Sequence, residues 1–189
     1  MWPFLYFAGE RLSTAELTAA RLDGDVIELG EGFIPADAVE TREMRAASLR
    51  SLTGPHRAVT HASAAWVHGA IDEPPLVHAV QRASPTRTGF PLDLRVHFRD
   101  LQLPVDDVVA LGGVLVTTPV RTFVDLIRAH VSSPPPRGAG MPSPGAVATA
   151  MRAADPGLAS AAVAWLERSG PIHHKRAALD HLRQDVVTR

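Results

Sequence analysis

An α+β fold follows from three features of the sequence. A helix signal with a complete N-terminal cap runs straight into a β-hairpin signal over residues 13–35. Four β-rich stretches separated by turn residues fill residues 76–118 and end on an amphipathic helix. A Pro-, Gly- and Ser-rich stretch then sets off a helical C-terminal tail. These features divide the chain into residues 1–53, an N-terminal segment plus helix; 54–131, a mixed α/β core with a small sheet; 132–144, a linker; and 145–189, the helical tail.

Ser13 and Glu16 have the S-x-x-E spacing of a capping box, in which hydroxyl and carboxylate each satisfy a free N–H at a helix start. Leu12 and Leu17 supply the apolar staple beside it, and Gly24 ends the helix. "DVIELGEGFIP" (25–35) reads as two short strands around Gly30-Glu31-Gly32. A helix followed directly by a hairpin is the back half of a winged helix. With only twelve residues ahead of Ser13, the segment reads as a truncated one. Residues 36–52 are rich in Ala, Glu and Arg and place Val39, Ala46 and Leu49 on one face, which predicts a single helix stopped by Gly54-Pro55.

In "RAVTHASAAWVHGAI" (57–71), a short extended stretch leads to a cap at Thr60 and a helix ending at Gly69. Its Ala62, Ala64 and Ala65 permit close approach to a neighbour. "LVHAVQ" (76–81), "LDLRVHF" (92–98), "VDDVVALGG" (105–113) and "VLVTT" (114–118) read as strands. Thr118 then caps a helix whose first position is Pro119, where a missing N–H is harmless. Val120, Phe123, Val124 and Ile127 form its core-facing stripe, with Arg121 and Asp125 four residues apart beside it. The segment "SSPPPRGAGMPSPG" (132–145) is linker-like, and a helix through Met151 followed by "GLASAAVAWLERSG" (157–170) and "IHHKRAALDHLRQDVV" (172–187) predicts a helical tail.

Charge is uneven along the chain. Residues 1–53 carry nine Asp and Glu against five Arg, whereas residues 131–189 carry seven Lys and Arg against four acids. Asp23, Asp25, Glu28 and Glu31 fall on the hairpin segment, where carboxylates would repel the phosphates of DNA. There is no cysteine, so disulfides and thiolate metal sites are excluded. The opening "MWPFLYFAGERL" is apolar but short and lacks a basic leader, which together with the missing cysteine predicts a soluble cytoplasmic protein.

Several residues invite a chemical reading. His61 and His68 are two helical turns apart, but no acid lies between them, and zinc needs three or four converging ligands. Packing or capping is the expectation, with no metal or cofactor. Ser63 lies near His61 without the G-x-S-x-G elbow of a hydrolase. The single lysine, Lys175, has His173 rather than an acid two positions before it, so an acid-x-Lys nuclease centre is missing. No phosphate loop or dinucleotide fingerprint occurs. The sequence therefore predicts no catalytic residues. Arg121 and Asp125 are expected to be scaffold, because an i, i+4 ion pair beside a core stripe usually orients a helix.

The stretches "THASAAWVHG" and "VTTPVRTFVDLIR" together resemble the AbiEi-type antitoxins of type IV toxin–antitoxin systems, particularly their actinobacterial branch. The matching positions are His61, Ser63, Ala64, Ala65, His68 and Gly69, then Thr117, Thr118, Pro119, Arg121, Thr122 and Asp125. The resemblance covers roughly residues 12–130 and, more loosely, the tail. It implies an antitoxin that neutralises a nucleotidyltransferase toxin of the AbiEii kind by direct binding. The alternative it implies is a repressor that binds its own promoter DNA through a winged helix. Two surfaces are candidates for the toxin: the acidic front with Glu28 and Glu31, and the tail with Trp165, His173, His174, Lys175 and Arg176.

Overall fold

In the computed structural model, residues 4–87, 89, 93–132 and 142–187 are described. They form a mixed α+β structure with a two-stranded hairpin, a five-stranded sheet and a C-terminal set of helices. Most of the predicted linker, residues 133–141, lies outside the described residues, as does residue 92 at the start of one predicted strand.

Helix α1 (Thr14–Asp23) has the full capping box at Ser13 and Glu16, and Gly24 closes it in a left-handed conformation. Strands β1 (Val26–Leu29) and β2 (Gly32–Pro35) pair antiparallel across Gly30-Glu31, so the helix-plus-hairpin of a winged helix is present. The segment ahead of α1 adds something the sequence did not announce. Tyr6 exchanges both backbone hydrogen bonds with Phe33, at 2.8 and 2.9 Å, which turns Leu5 and Phe7 into the core.

The single helix expected over 36–52 is instead two, α2 (Arg42–Ser48) and α3 (Arg50–Thr53). Thr41 caps α2 through the Met44 N–H, so the helix starts after Val39, which is left 83% exposed. An N-cap hydroxyl competes with helical backbone pairing and fixes the start where it bonds.

The five-stranded sheet has the order β5-β4-β3-β7-β6. Strands β3 (Arg57–Val59) and β4 (His78–Arg82) are antiparallel; β5 (Val96–Arg99) runs parallel to β4, and β7 (Val114–Thr117) parallel to β3. Strand β6 (Val108–Leu111) completes a hairpin with β7. The strand expected over 105–113 is shorter because Val105–Asp107 form a 3₁₀ turn after Pro104. That turn faces Asp107 into the protein.

Helix α4 (His61–Val67) is buried along its whole length. Ala64, Trp66 and Val67 belong to one apolar cluster with the sheet, hairpin and α2, while Ala62 and Ala65 belong to a second with α5 (Pro119–Val131), α6 (Pro144–Ala154), α7 (Leu158–Arg168) and α8 (Lys175–Val187). Alanines let backbones approach on both sides without leaving voids. Arg45 of α2 donates to the carbonyls of Trp66 and Ile71 at 2.7 and 3.0 Å, satisfying acceptors at and beyond the end of α4. Thr60 precedes α4 as expected but does not cap it; its hydroxyl is 2.9 Å from Nδ1 of His61, whose φ is +52°.

Gly30 couples the hairpin to this core. It has φ +54°, and a Cβ there would lie 2.3 Å from Ser48 Oγ and 3.2 Å from the Trp66 ring. Gly113 has φ +82° but open space around it. Gly30→Ala is therefore expected to cost about 3 kcal/mol and Gly113→Ala about 1 kcal/mol, since only the first adds a clash to backbone strain. Urea unfolding of the two variants measures the difference.

Candidate functional site

The two sequence motifs meet in space. His68 Nε2 lies 2.7 Å from the Thr117 carbonyl, joining the end of α4 to the end of β7. The Thr117 hydroxyl reaches the Val59 carbonyl at 3.3 Å and the Thr122 hydroxyl at 2.7 Å. Ser63 Oγ accepts from the Ala79 N–H at 3.0 Å and lies 3.3 Å from His78 Nδ1, pinning α4 to β4. Thr118 accepts from the Arg121 N–H, and Pro119 opens α5. Gly69, at φ +81°, turns the chain away after α4. Each of these polar groups is used to hold one element against another.

A buried chain of ions lies one turn into α5. Arg121 Nε donates to Asp125 at 2.8 Å and its Nη1 to Asp107 at 2.6 Å. Arg128 Nη1 takes the other Asp125 oxygen at 2.8 Å, and Trp165 Nε1 takes the other Asp107 oxygen at 2.8 Å. The Arg121 guanidinium also lies 5.3 Å from the Trp165 ring centroid, within cation–π range. Arg128 Nε donates to the His173 carbonyl at 2.7 Å. The side chains of Arg121, Asp107 and Asp125 are each less than a tenth exposed. Burial works against the Arg121 charge, but Asp125 and Asp107 outweigh it and hold the guanidinium above its usual pKa.

This arrangement is a clamp. Both oxygens of each carboxylate are engaged by donors within the protein. The i, i+4 pair was visible in the sequence, but Asp107 and Trp165 as its completing partners were not. The sequence alone places Asp107 in a strand and offers Trp165 as an anchor for another protein.

Beside the clamp is an opening of about 650 Å³ between the stretch after β5 and the turn joining α7 to α8. Its walls include Leu101, Pro104, Trp165, Arg168 and Ile172. Leu101 is 64% exposed, and Arg168 is also exposed.

The other predicted contact residues are dispersed. Glu28 forms an exposed pair with Arg21 at 3.3 Å. Glu31 is only 15% exposed and is held by Arg95, with His78 Nε2 at 4.0 Å. In the tail, His173, His174 and Arg176 are exposed, whereas Lys175 donates to the Ser169 carbonyl at 2.5 Å. His61 and His68 bond to different neighbours, and no group of three or more potential metal ligands occurs among the described residues. No helix among them is long and apolar enough to cross a membrane.

A family model described as "AbiEi antitoxin C-terminal domain" matches residues 57–166, more than half of the chain. The match spans both motifs and takes in Asp107 and Trp165. No curated protein matches the chain.

Two outcomes are expected from this geometry. Asp107→Ala leaves Arg121 and Trp165 short of an acceptor and should cost about 3–5 kcal/mol, whereas Trp165→Phe removes one hydrogen bond and should cost about 1–2 kcal/mol; chemical denaturation checks both. The second concerns pH. Burial pushes His61 and His78 from 6.5 down to about 4. Unfolded rings take up protons below about 6.5 while the folded ones stay neutral until about 4. Stability should thus be whole above that range and decline through it as pH falls, by roughly 3 kcal/mol for each ring. Urea midpoints at pH 7, 5.5 and 4.5 should show a shallower decline for His78→Gln than for the parent chain.

Proposed function

The chain belongs to the AbiEi antitoxin C-terminal domain family, and from that membership we propose that it neutralises a cognate nucleotidyltransferase toxin by binding it directly, as part of a type IV system. The observation that carries the binding mode is the opening beside the clamp. Leu101, Pro104, Ile172 and Arg168 present apolar surface and a guanidinium around the edge of Trp165. Arginine and aromatic residues framed by apolar contacts are the composition of energetic centres in protein interfaces. The clamp beneath holds both walls in place, so little ordering entropy is lost on docking.

The acidic front is the weaker candidate. Glu31 is already held by Arg95 and largely buried, leaving Glu28 as the accessible acid of the predicted pair. The same carboxylates disfavour DNA. Asp23, Asp25 and Glu28 are exposed on the helix–hairpin unit, where a phosphate backbone would meet like charge. Repression through this unit is the alternative reading, and a mobility-shift assay on the upstream region should show no salt-sensitive complex.

The test of neutralisation uses a nucleotidyltransferase of the AbiEii kind, taken from the neighbouring reading frame if that frame encodes one. Co-expression is expected to rescue cells from it, and the two chains should co-purify at high salt. Leu101→Asp combined with Arg168→Glu should weaken the complex at least tenfold, while Glu28→Arg leaves it intact. Full binding by the double variant would discard the opening as the docking surface. Failure of the parent chain to bind or rescue would discard direct neutralisation altogether.

A further inference from the structure

We propose that a second, smaller opening, where the end of β5 faces α5 and the α7–α8 turn, binds a phosphate group. It holds about 250 Å³ and is lined by His61, Arg99, Asp125, Arg128, His173 and His174. Charge balance within it is incomplete. Asp107, Arg121, Asp125 and Arg128 form an alternating chain whose charges cancel. Among the described residues, Arg99 is the cation left over.

Arg99 is half-buried; its backbone lies in the β4–β5 pairing opposite Gln81, and among the described residues its guanidinium has no hydrogen bond or ion pair. Its neighbour Asp100 is engaged by Arg82 and Arg87 instead. Burial lowers the pKa of Arg99; Asp125 opposes that shift, and the nearby Arg128 adds to it. Asp125 has one oxygen on Arg121 and the other on Arg128, so it stabilises the Arg99 charge from a distance without accepting from it. A guanidinium with five donors, partly removed from water beside a like charge, is an unfavourable group until an anion joins it.

The required anion can be specified. It must accept from Arg99 and from the remaining N–H groups of Arg128 at once, and a tetrahedral phosphate offers acceptors in both directions where one planar carboxylate is filled by a single fork. His173 and His174 are exposed at the rim, where their rings can donate to the outer oxygens. Their side is open to solvent, and the volume exceeds that of a bare phosphate, so a phosphate ester can extend outward.

Isothermal titration calorimetry on the full chain tests the assignment, with inorganic phosphate, adenosine monophosphate, and a short RNA with and without a 5′-phosphate as probes, each against chloride at matched ionic strength. Saturable binding is expected for the phosphate-bearing probes. Arg99→Gln should lower that affinity at least tenfold and Arg99→Lys by less, because lysine keeps the charge and loses the fork; neither breaks an existing bond. Arg183→Gln, on the exposed side of α8, should bind as the parent does. A nucleotide that binds more tightly than inorganic phosphate would identify the source as a nucleotide. Preference for phosphorylated over unphosphorylated RNA would identify an RNA end, and equal affinity for inorganic phosphate, the nucleotide and the 5′-phosphorylated RNA, with none for the unphosphorylated RNA, would show that the phosphate group alone is recognised. No response beyond that of chloride, or undiminished binding by Arg99→Gln, overturns the proposal.

Discussion

Everything built on α5 depends on the placement of Arg121 between two buried carboxylates. A lone guanidinium at that depth would be costly, as would either acid, and only the complete set makes the burial tolerable. Its members come from three places in the chain: the 3₁₀ turn before β6, the first turns of α5, and α7 through Trp165. Hydrophobic contact can bring a helix onto a sheet at many angles. An ion chain with fixed fork geometry selects one of them. The two openings at the surface owe their walls to that selection, since Arg128 borders both.

Around this polar centre, α4 separates two apolar clusters. Small residues on opposite faces allow one seven-residue helix to serve the sheet and hairpin on one side and the tail helices on the other. The polar residues of the same helix complete the joint, because Ser63 ties it to β4 and His68 ties it to β7. Short as it is, α4 gains stability from neighbours more than from its own backbone bonds.

Local features were legible in the sequence and distant ones were not. The Ser13 box, the Gly24 terminus, the Gly30-Glu31 turn and the Thr118-Pro119 start of α5 each lie within a few residues, so composition at fixed spacing reveals them. Half of the candidate site was readable for the same reason, since Arg121 and Asp125 are one helical turn apart. The other half depends on pairings across long stretches of chain: Trp165 with Asp107, Arg95 with Glu31, and Tyr6 with Phe33. No periodicity encodes these. Where tertiary pairing competes with local preference, the local reading fails, as at Asp107, which leaves the expected strand to reach Arg121.

The parallel pairing of β3 with β7 places Ala58 opposite Leu115. On a ribosome, β3 emerges long before its neighbour exists, and the chain must carry an unsatisfied strand edge until Thr117 has left the exit tunnel. Trp165 comes later still. The β1–β2 hairpin can close early, whereas the sheet and its ionic fastening mature only once α7 has been made, so a nascent chain interrupted before Trp165 would expose apolar surface to chaperones and proteases.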